Sequence, residues 1–176
     1  MSAFTATDVE ALIPRLRRYA RALTGSREAA DDLTQDTLER VWEKRALWQP
    51  GTNLRAWMFT VMHNVHVSGL KVARRMATSG DDAEAASLPA PGGSSVETGI
   101  VLSELRSALA ALPDDQRAVV LLVGLEQLSY AEAADVLGIP AGTVMSRLAR
   151  GRERLRSLLE AGTGGAGRAA LLRRVK

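Results

Sequence analysis

Five arginines stand close together between Arg147 and Arg156. Guanidinium groups bind phosphates and can form paired hydrogen bonds with guanine in the major groove of DNA. At 100° per residue, one arc of about 60° on a helix would hold Thr143, Arg147, Arg150 and Arg154, with Ser146 at its border. This arginine stripe predicts recognition of duplex DNA, whereas the alternative is a charged face that only meets solvent.

The elements around the stripe are those that would present it to DNA. The letters SYAE, Ser129 to Glu132, fit a capping box at the start of a short helix, which Gly138 would end in a left-handed conformation. Upstream, Asp114 or Asp115 is expected to cap a central buried helix. A second arc of the arginine helix is apolar and predicts a buried side, with Val144, Leu148, Leu155 and Leu159. Two short helices across a tight glycine turn predict a helix-turn-helix whose second helix enters the major groove.

The first half of the chain carries a second polar stripe. Its acidic and amide residues recur at i, i+3, i+4, i+7 and i+11, which gives one helical face about 16 Å long. The residues are Asp32, Gln35, Asp36, Glu39 and Glu43. Exposure to solvent explains such a face as well as a protein-docking surface does, so the pattern alone leaves both interpretations open.

A third helix is predicted from Thr52 or Asn53 onward, because apolar residues follow at helical spacing. The same helix holds aromatic, imidazole and amide side chains before a basic end: Trp57, Phe59, His63, Asn64, His66, Lys71, Arg74 and Arg75. Such groups suit unstacked single-stranded bases, although core packing is the simpler interpretation of Trp57. Gly69 is expected to weaken the helix before its basic end.

Other classes of function find little support in the sequence. The chain has no cysteine, which excludes disulfides and thiolate metal sites. His63 and His66 lack a nearby carboxylate and are weak metal ligands, and no Ser/His/Asp or paired-carboxylate arrangement stands out. We therefore expect no enzyme, no cofactor and no metal site. No apolar run reaches the roughly 20 residues of a membrane span, so we expect a cytoplasmic protein without membrane insertion.

Strand patterns are missing and helical spacing dominates, so the predicted fold class is all-α. A segment rich in small residues, proline and glycine, 77–98, buries too little apolar surface to offset its ordering entropy. It is predicted to be a flexible linker, the alternative being a long surface loop within one domain. The linker would join an N-terminal domain, 8–76, to a C-terminal helix-turn-helix bundle, 99–160, which a basic flexible tail, 161–176, follows.

Taken together, these segments resemble the extracytoplasmic-function (ECF) branch of bacterial sigma factors, in the sigma-70 superfamily. DDLTQDTLERVWEK is similar to the family's polymerase-clamp-binding helix, and GTNLRAWMFTVMHNV to the segment that leads into its promoter-melting helix. LPDDQRAVVLLVGLEQLSYAEAADVLGIPAGTVMSRLARGRERL is similar to its C-terminal helix-turn-helix domain. The resemblance runs from about Leu12 to Leu159, and all three segments in this order around a linker make it highly specific.

The resemblance implies a sigma factor that binds core RNA polymerase and directs transcription initiation at promoter DNA. It assigns polymerase binding to Asp32, Gln35, Asp36, Glu39 and Arg40. It assigns the minus-ten element, including a flipped non-template base, to the stretch that contains Asn64, His66, Ser68, Lys71, Arg74 and Arg75. It assigns the minus-35 element to Thr143, Ser146, Arg147, Arg150 and Arg154. It also implies control by an anti-sigma factor that covers the polymerase-binding surfaces.

Some positions depart from the family pattern. Ser68 and Gly69 stand where many members carry Asp and His, so a minus-ten base preference does not transfer to this chain. Met145 replaces a frequent lysine. Gly151 replaces an alanine, which is expected to soften the arginine helix by up to about 1 kcal/mol.

Two other classes of function are alternatives to a sigma factor. A conventional helix-turn-helix regulator would bind duplex DNA unaided, often as a dimer, and would need no acidic clamp-docking helix. A protein-interaction adaptor would ignore promoter DNA even when polymerase is present.

Overall fold

The computed structural model describes residues 4–78 and 96–162, and these residues form helices and no strand. The α-helices are α1 (Ala6–Thr24), α2 (Arg27–Glu43), α3 (Leu54–Thr78), α4 (Val96–Ala110), α5 (Asp114–Val120), α6 (Tyr130–Leu137) and α7 (Ala141–Gly162). A 3-10 turn, Arg45–Leu47, follows α2, and a π-helical turn, Leu121–Leu125, continues α5. The all-α prediction is confirmed. The segments predicted as linker and tail lie largely outside the described residues.

Short-range capping sets several of the helix ends. Four N-terminal caps are side-chain oxygens that accept backbone N–H groups, on Thr5, Ser26, Asn53 and Ser129. Gly25 and Gly138 end α1 and α6 in the left-handed conformation, as expected of a residue without a Cβ. Gly69 does not interrupt α3, which continues to Thr78.

The expected cap of α5 is wrong. Pro113 occupies the N-cap position without a side-chain hydrogen bond, and Asp114 and Asp115 form the first turn of the helix. The backbone carbonyl of Pro113 accepts the first N–H groups of the helix, from Gln116 and Arg117. Carboxylates in a first turn still favour the helix, because they face the positive end of its dipole.

The N-terminal half, α1 to α3, packs around aliphatic and aromatic side chains. Tyr19 of α1 and Phe59 of α3 are fully buried and meet edge to face, with ring centroids 5.2 Å apart. A second aromatic group is built on Phe4, whose ring lies 5.7–5.8 Å from those of Trp42, Trp48 and Trp57. Core packing, the simpler interpretation of Trp57, is therefore what the structure shows.

The C-terminal half, α4 to α7, is a small bundle around α5 and its π-helical continuation. Val119 and Leu122 are completely buried at its centre, as expected of a central buried helix. The apolar stripe of α7 is buried against this centre, through Val144, Leu148, Leu155 and Leu159. The stripe thus holds α7 so that its other faces point outward.

The two halves are in contact in this structure. Helix α1 meets α4, α5 and the π-helical turn, while α3 meets α6. The buried side chains of both halves form one continuous hydrophobic cluster. Helices α1 and α3 of the N-terminal half therefore also pack against the C-terminal half. In the described part of the chain, no helix is both long enough and apolar enough to cross a membrane.

Candidate nucleic-acid interface

Helix α7 carries the predicted arginine stripe, and α6 positions it. Ser129 and Glu132 form the predicted capping box: the Ser129 N–H donates to the Glu132 carboxylate at 2.8 Å, and the Glu132 N–H donates to the Ser129 hydroxyl at 3.2 Å. Gly138 then turns the chain through a left-handed residue, and α7 begins at Ala141. The helix-turn-helix expected from the sequence is therefore formed.

Most of the residues assigned to the minus-35 element are accessible. Ser146, Arg150 and Arg154 are exposed, and Thr143 is half-buried. The Arg150 Nε donates to the Ser146 carbonyl at 3.2 Å, so this side chain lies back along its own helix. An exposed arginine held only by a backbone carbonyl is able to reorient toward a phosphate or a base edge.

Arg147 differs from its neighbours, because it is engaged within the protein. Its guanidinium Nε lies 3.1 Å from the carboxylate of Asp115, and its side chain is 28% exposed. Asp115 belongs to the first turn of α5, and Arg147 also lines the cavity between the halves. Arg147 must therefore exchange a carboxylate for DNA if it is to read a base.

The acidic stripe of α2 is an exposed surface. Its five predicted polymerase-binding residues, Asp32, Gln35, Asp36, Glu39 and Arg40, are all exposed. Two contacts link the stripe along the helix: Gln35 donates to Glu39 at 3.2 Å, and Arg40 pairs with Glu43 at 3.0 Å. The opposite side of α2 is buried through Ala30, Leu33, Thr34, Thr37 and Val41. The stripe is thus held on a fixed helix with its charges in solvent.

The residues assigned to the minus-ten element follow α3 along its length. Asn64, Ser68, Lys71, Arg74 and Arg75 are exposed, whereas His66 is half-buried. Asn64 and Ser68 line a groove of about 600 Å³ between α2 and α3, together with Asp36, Glu39 and Arg40. The structure therefore brings some residues assigned to polymerase binding and some assigned to the minus-ten element into one groove.

A second cavity, of about 570 Å³, lies between the two halves. Residues that the sequence assigned to each promoter element line it. They are His66, Lys71 and Arg74 of α3 for the minus-ten element, and Arg147 of α7 for the minus-35 element. Asp114 and Asp115 line it as well, and Arg74 lies 3.4 Å from Asp114. The two acidic residues of α5 thus each contact an arginine that the sequence assigned to a promoter element, Arg74 by Asp114 and Arg147 by Asp115.

The histidines of α3 face this cavity and are poorly solvated. Burial lowers the pKa of His63, and the charges of His66 and Arg147 lower it further. Burial also lowers the pKa of His66, where Asp114 acts in the opposite direction and Arg117 in the same one. The Nδ1 of His63 and the Nε2 of His66 have no hydrogen-bond partner. Within the described residues, no group of three or more acidic, histidine or cysteine side chains could hold a metal.

Glu126 and Arg117 are the residues whose roles the sequence did not reveal. Glu126 is fully buried next to α1, where Arg15 and Arg18 of the N-terminal half pair with it. Arg117 donates to the carbonyls of Leu109, Ala110 and Leu112 at the end of α4, and to that of Leu23 in α1. A charged residue at the end of the apolar run LLVGLEQ was the available signal for Glu126, since a buried carboxylate requires a cation.

The fold and these surfaces define a two-part, all-helical DNA-binding protein with a helix-turn-helix in its second part. Two family models match the chain: the sigma2 domain of PhyR at residues 9–63, and sigma-70 region 4 at residues 102–155. The first model covers α1, α2 and the start of α3, and the second covers the bundle that contains the arginine stripe.

Similar proteins agree with both models. The ECF RNA polymerase sigma factor EcfG of Rhodopseudomonas palustris is 39% identical over 152 residues, which cover 86% of this chain and 83% of that protein. The sigma factor RpoE of Bartonella quintana, solved in complex with the anti-sigma factor NepR, has a TM-score of 0.76 and 32% identity, over 89% of this chain and 97% of that one. CnrH, solved in complex with the cytosolic domain of CnrY, has a TM-score of 0.66 and 27% identity, over 89% and 88% of the chains. The chain belongs to the ECF RNA polymerase sigma factors.

Membership of this family confirms the resemblance found in the sequence and the prediction that the protein is not an enzyme. It also decides among the three classes of function, since a sigma factor is neither a conventional regulator nor an adaptor. The individual site residues are not decided by family membership.

Proposed function

We propose that this sigma factor binds core RNA polymerase through α2 and reads two promoter elements, minus-ten with α3 and minus-35 with α7. The observation that carries the proposal is the arginine stripe of α7, which a capped helix-turn-helix presents beside a fully buried apolar stripe. An amphipathic helix with an exposed basic side is the element that enters a major groove. Arg150 and Arg154 of the stripe are exposed, whereas Arg147 is paired with Asp115. Because its polymerase partner works on the chromosome, the site of action is the cytoplasm.

The polymerase contact is assigned to the α2 face formed by Asp32, Gln35, Asp36, Glu39 and Arg40. A charged, exposed helix face gives specificity and a fast encounter with a complementary surface. We expect Asp36→Lys to weaken binding to core polymerase by about tenfold or more, because it reverses a charge at the middle of the face. Binding is measured by fluorescence anisotropy with labelled sigma factor and purified core enzyme.

Asp31→Lys is the matched control for this prediction. Asp31 lies on the same helix, about 140° of helical rotation from Asp36, and among the described residues it pairs with Arg27 at a long distance of 3.9 Å. Both variants make the same change of charge. An equal loss of affinity in the two would assign the effect to overall charge and would remove the face from the proposal.

The minus-ten contact is assigned to Asn64, His66, Ser68, Lys71, Arg74 and Arg75. Exposed amide and hydroxyl groups precede the basic end of α3, which is the order needed to hold an unstacked base and then the phosphates beside it. Flipping a base costs a few kcal/mol, and the cations at the end of the helix are in place to offset it.

The minus-35 contact is assigned to Thr143, Ser146, Arg147, Arg150 and Arg154. We expect Arg147→Ala to weaken promoter binding by about 1–3 kcal/mol if the side chain is bidentate to guanine. The ion pair with Asp115 is partly exposed, so its loss changes stability little. Selection of bound promoters from a random library measures the preference, and an unaltered preference in the variant would remove Arg147 from the reading set.

An anti-sigma factor is the proposed regulatory partner. The sigma factor RpoE of Bartonella quintana was solved in complex with the anti-sigma factor NepR, and CnrH was solved in complex with the cytosolic domain of CnrY. This chain offers such a partner exposed apolar side chains beside its charged faces, among them Trp42, Val72 and Met76.

In vitro transcription tests the proposed function directly. Purified protein is added to sigma-free bacterial core polymerase on a promoter library from the source genome. Transcripts that require both components, and that share two spaced DNA elements, are the expected result. Tight binding of duplex DNA by the protein alone, with no such transcripts, would contradict the proposal.

A further inference from the structure

The side of α7 that points away from the bundle does not coincide with the arginine stripe. The buried side chains of α7 fix this outward side, because it lies roughly opposite them around the helix axis. The residues along it are all exposed: Gly142, Ser146, Ala149 and Glu153. At 100° per residue, Met145 and Arg150 lie about 70° to either side of this line, whereas Arg147 lies about 130° away. The half-burial of Arg147 against Asp115 agrees with that position.

Met145 is an apolar side chain on this exposed surface. It is 49% exposed, and among the described residues of α7 it is the only large apolar side chain that is exposed. A single exposed apolar residue needs no explanation on most surfaces. Met145, however, stands in the second turn of α7, and the first turns of a recognition helix are the part that approaches base edges. Its position therefore points to a contact with bases.

The charges around Met145 favour a polyanion as its partner. Between Ala141 and Arg152, α7 has three arginines and no acidic residue. The first acidic residue of the helix, Glu153, comes about two turns after Met145, and it pairs with Arg156 at 2.8 Å. The basic surroundings of Met145 fit the phosphates that border a major groove. The partner is therefore duplex DNA, and the remaining question is which group of a base edge an apolar side chain contacts.

Thymine supplies an apolar group of this kind. Base edges in the major groove present hydrogen-bond donors and acceptors, together with the 5-methyl group of thymine. The Met145 side chain has no donor and only a weak acceptor in its thioether, so it does not satisfy the polar groups of other bases. Its length and flexibility allow it to cover a methyl group. The lysine that is frequent at this position in the family is a phosphate ligand instead.

We propose that Met145 reads a thymine of the minus-35 element through an apolar contact with the 5-methyl group of that base. The inference rests on the proposed function, because it takes α7 as the helix that binds the minus-35 element. It adds a specificity-determining residue that lies outside the arginine stripe. Met145 and Arg150 then contact the element from opposite sides of the outward line, one through an apolar contact and the other through hydrogen bonds.

Replacing thymine with deoxyuridine tests the contact at a single group, because the two bases differ only in the 5-methyl group. The full chain with core polymerase is bound to a promoter selected by in vitro transcription, in which each thymine of the upstream element is replaced in turn. Met145→Gln and Met145→Leu are compared with the natural sequence. Methionine, glutamine and leucine have similar helix propensities, so the exposed position tolerates both changes. The matched control is Leu102→Gln, which changes another exposed apolar residue of the same half.

We expect one of these replacements to weaken binding by the natural sequence about fourfold, which corresponds to the loss of one buried methyl-sized group. Met145→Leu and Leu102→Gln are expected to keep this difference, whereas Met145→Gln is expected to bind the thymine and deoxyuridine promoters equally.

Three results would overturn the inference while transcription still supports the proposed function. The first is a selected element without any A·T pair. The second is a methyl effect that is absent from the natural sequence or unchanged in Met145→Gln. The third is a loss in Met145→Gln that is equal for every promoter and present with core polymerase alone, which would assign Met145 to the polymerase. A failure to select any promoter would instead overturn the proposed function, and this inference with it.

Discussion

At the scale of single residues, Gly151 shows how a local rule and a packing contact can give different answers. The sequence predicts that glycine softens α7, because glycine is a poor helix former. In the structure Gly151 is buried, and a Cβ added there would come within 2.7 Å of Val120 Cγ2 and 3.4 Å of the Gln116 Cβ. Valine has little freedom to move away. The glycine therefore lets α7 approach α5 more closely than an alanine would.

We expect Gly151→Ala to lower the free energy of unfolding by roughly 1 kcal/mol, because the cost of overpacking, about 1–3 kcal/mol, exceeds the gain in helix propensity of about 1 kcal/mol. Urea denaturation followed by circular dichroism measures the difference. Gly142→Ala is the control, since nothing lies within 4 Å of a Cβ at that position of the same helix. Equal stabilisation by both substitutions would show that α5 and α7 are not packed this closely.

At the scale of elements, the carboxylate of Glu132 both caps α6 and links it to the start of α3. Glu132 accepts the Ser129 N–H and also a hydrogen bond of 2.6 Å from the Asn53 side chain, which caps α3 in the other half. The hydrogen bonds from Ser129, followed by that from Asn53, lower the pKa of Glu132 below its ordinary value of 4.5. The contribution of the ionised box is complete above pH 4.5 and is lost as pH falls through the lowered pKa.

Ser129→Ala removes the hydroxyl that accepts the Glu132 N–H and is expected to lower the free energy of unfolding by about 0.5–2 kcal/mol. Chemical denaturation at neutral pH measures this loss. Ser157→Ala is a matched change near the C-terminal end of α7, where the hydroxyl donates to the carbonyl of Glu153 in its own helix. That control is expected to leave stability unchanged or slightly raised, because alanine is the better helix former. An equal loss of unfolding free energy in both variants would show that the Ser129 cap does not stabilise the protein.

At the scale of the whole molecule, the contact between the halves partly buries two histidines and so makes the stability of the fold depend on their protonation. His63 and His66 have pKa values below the ordinary 6.5, chiefly because they are half-buried at the cavity between the halves. The charged groups around this cavity are Lys71, Arg74, Asp114, Asp115 and Arg147, with Arg117 also acting on His66. Both histidines are therefore easier to protonate once the structure opens or unfolds.

The free energy of unfolding is expected to fall as pH decreases below about 6.5, because the unfolded chain then binds more protons than the folded one. It stops falling once the lowered pKa values of the folded state are passed. Urea titrations at about pH 7.5 and about pH 5.5 measure the change. His63→Gln with His66→Gln is expected to flatten the dependence across this window. The same slope in that variant would assign the effect to other groups.

The amino-acid sequence alone determined the features that depend on neighbours within about four residues. Helix starts at Ser129 and Asn53, the left-handed ends at Gly25 and Gly138, and the apolar stripe of α7 follow from capping chemistry and the helical period. The all-α class follows from the same local rules. The cap of α5 was misplaced by one position for Asp114 and by two for Asp115, because Pro113 already supplies the preset φ and the free carbonyl that start the helix.

Only the tertiary structure decided which charges lose their water and what they meet. Arg18 and Glu126 are separated by 108 positions in the chain, and no periodicity relates them. The half-burial of Arg147 and the close approach at Gly151 likewise depend on where α5 packs against α7. Such contacts are set by how two surfaces fit in three dimensions, whereas a sequence pattern reports only which surfaces exist. The sequence thus determined the polar and basic faces that are proposed to bind polymerase and DNA, and the fold decided that Arg74 of α3 and Arg147 of α7 line one cavity.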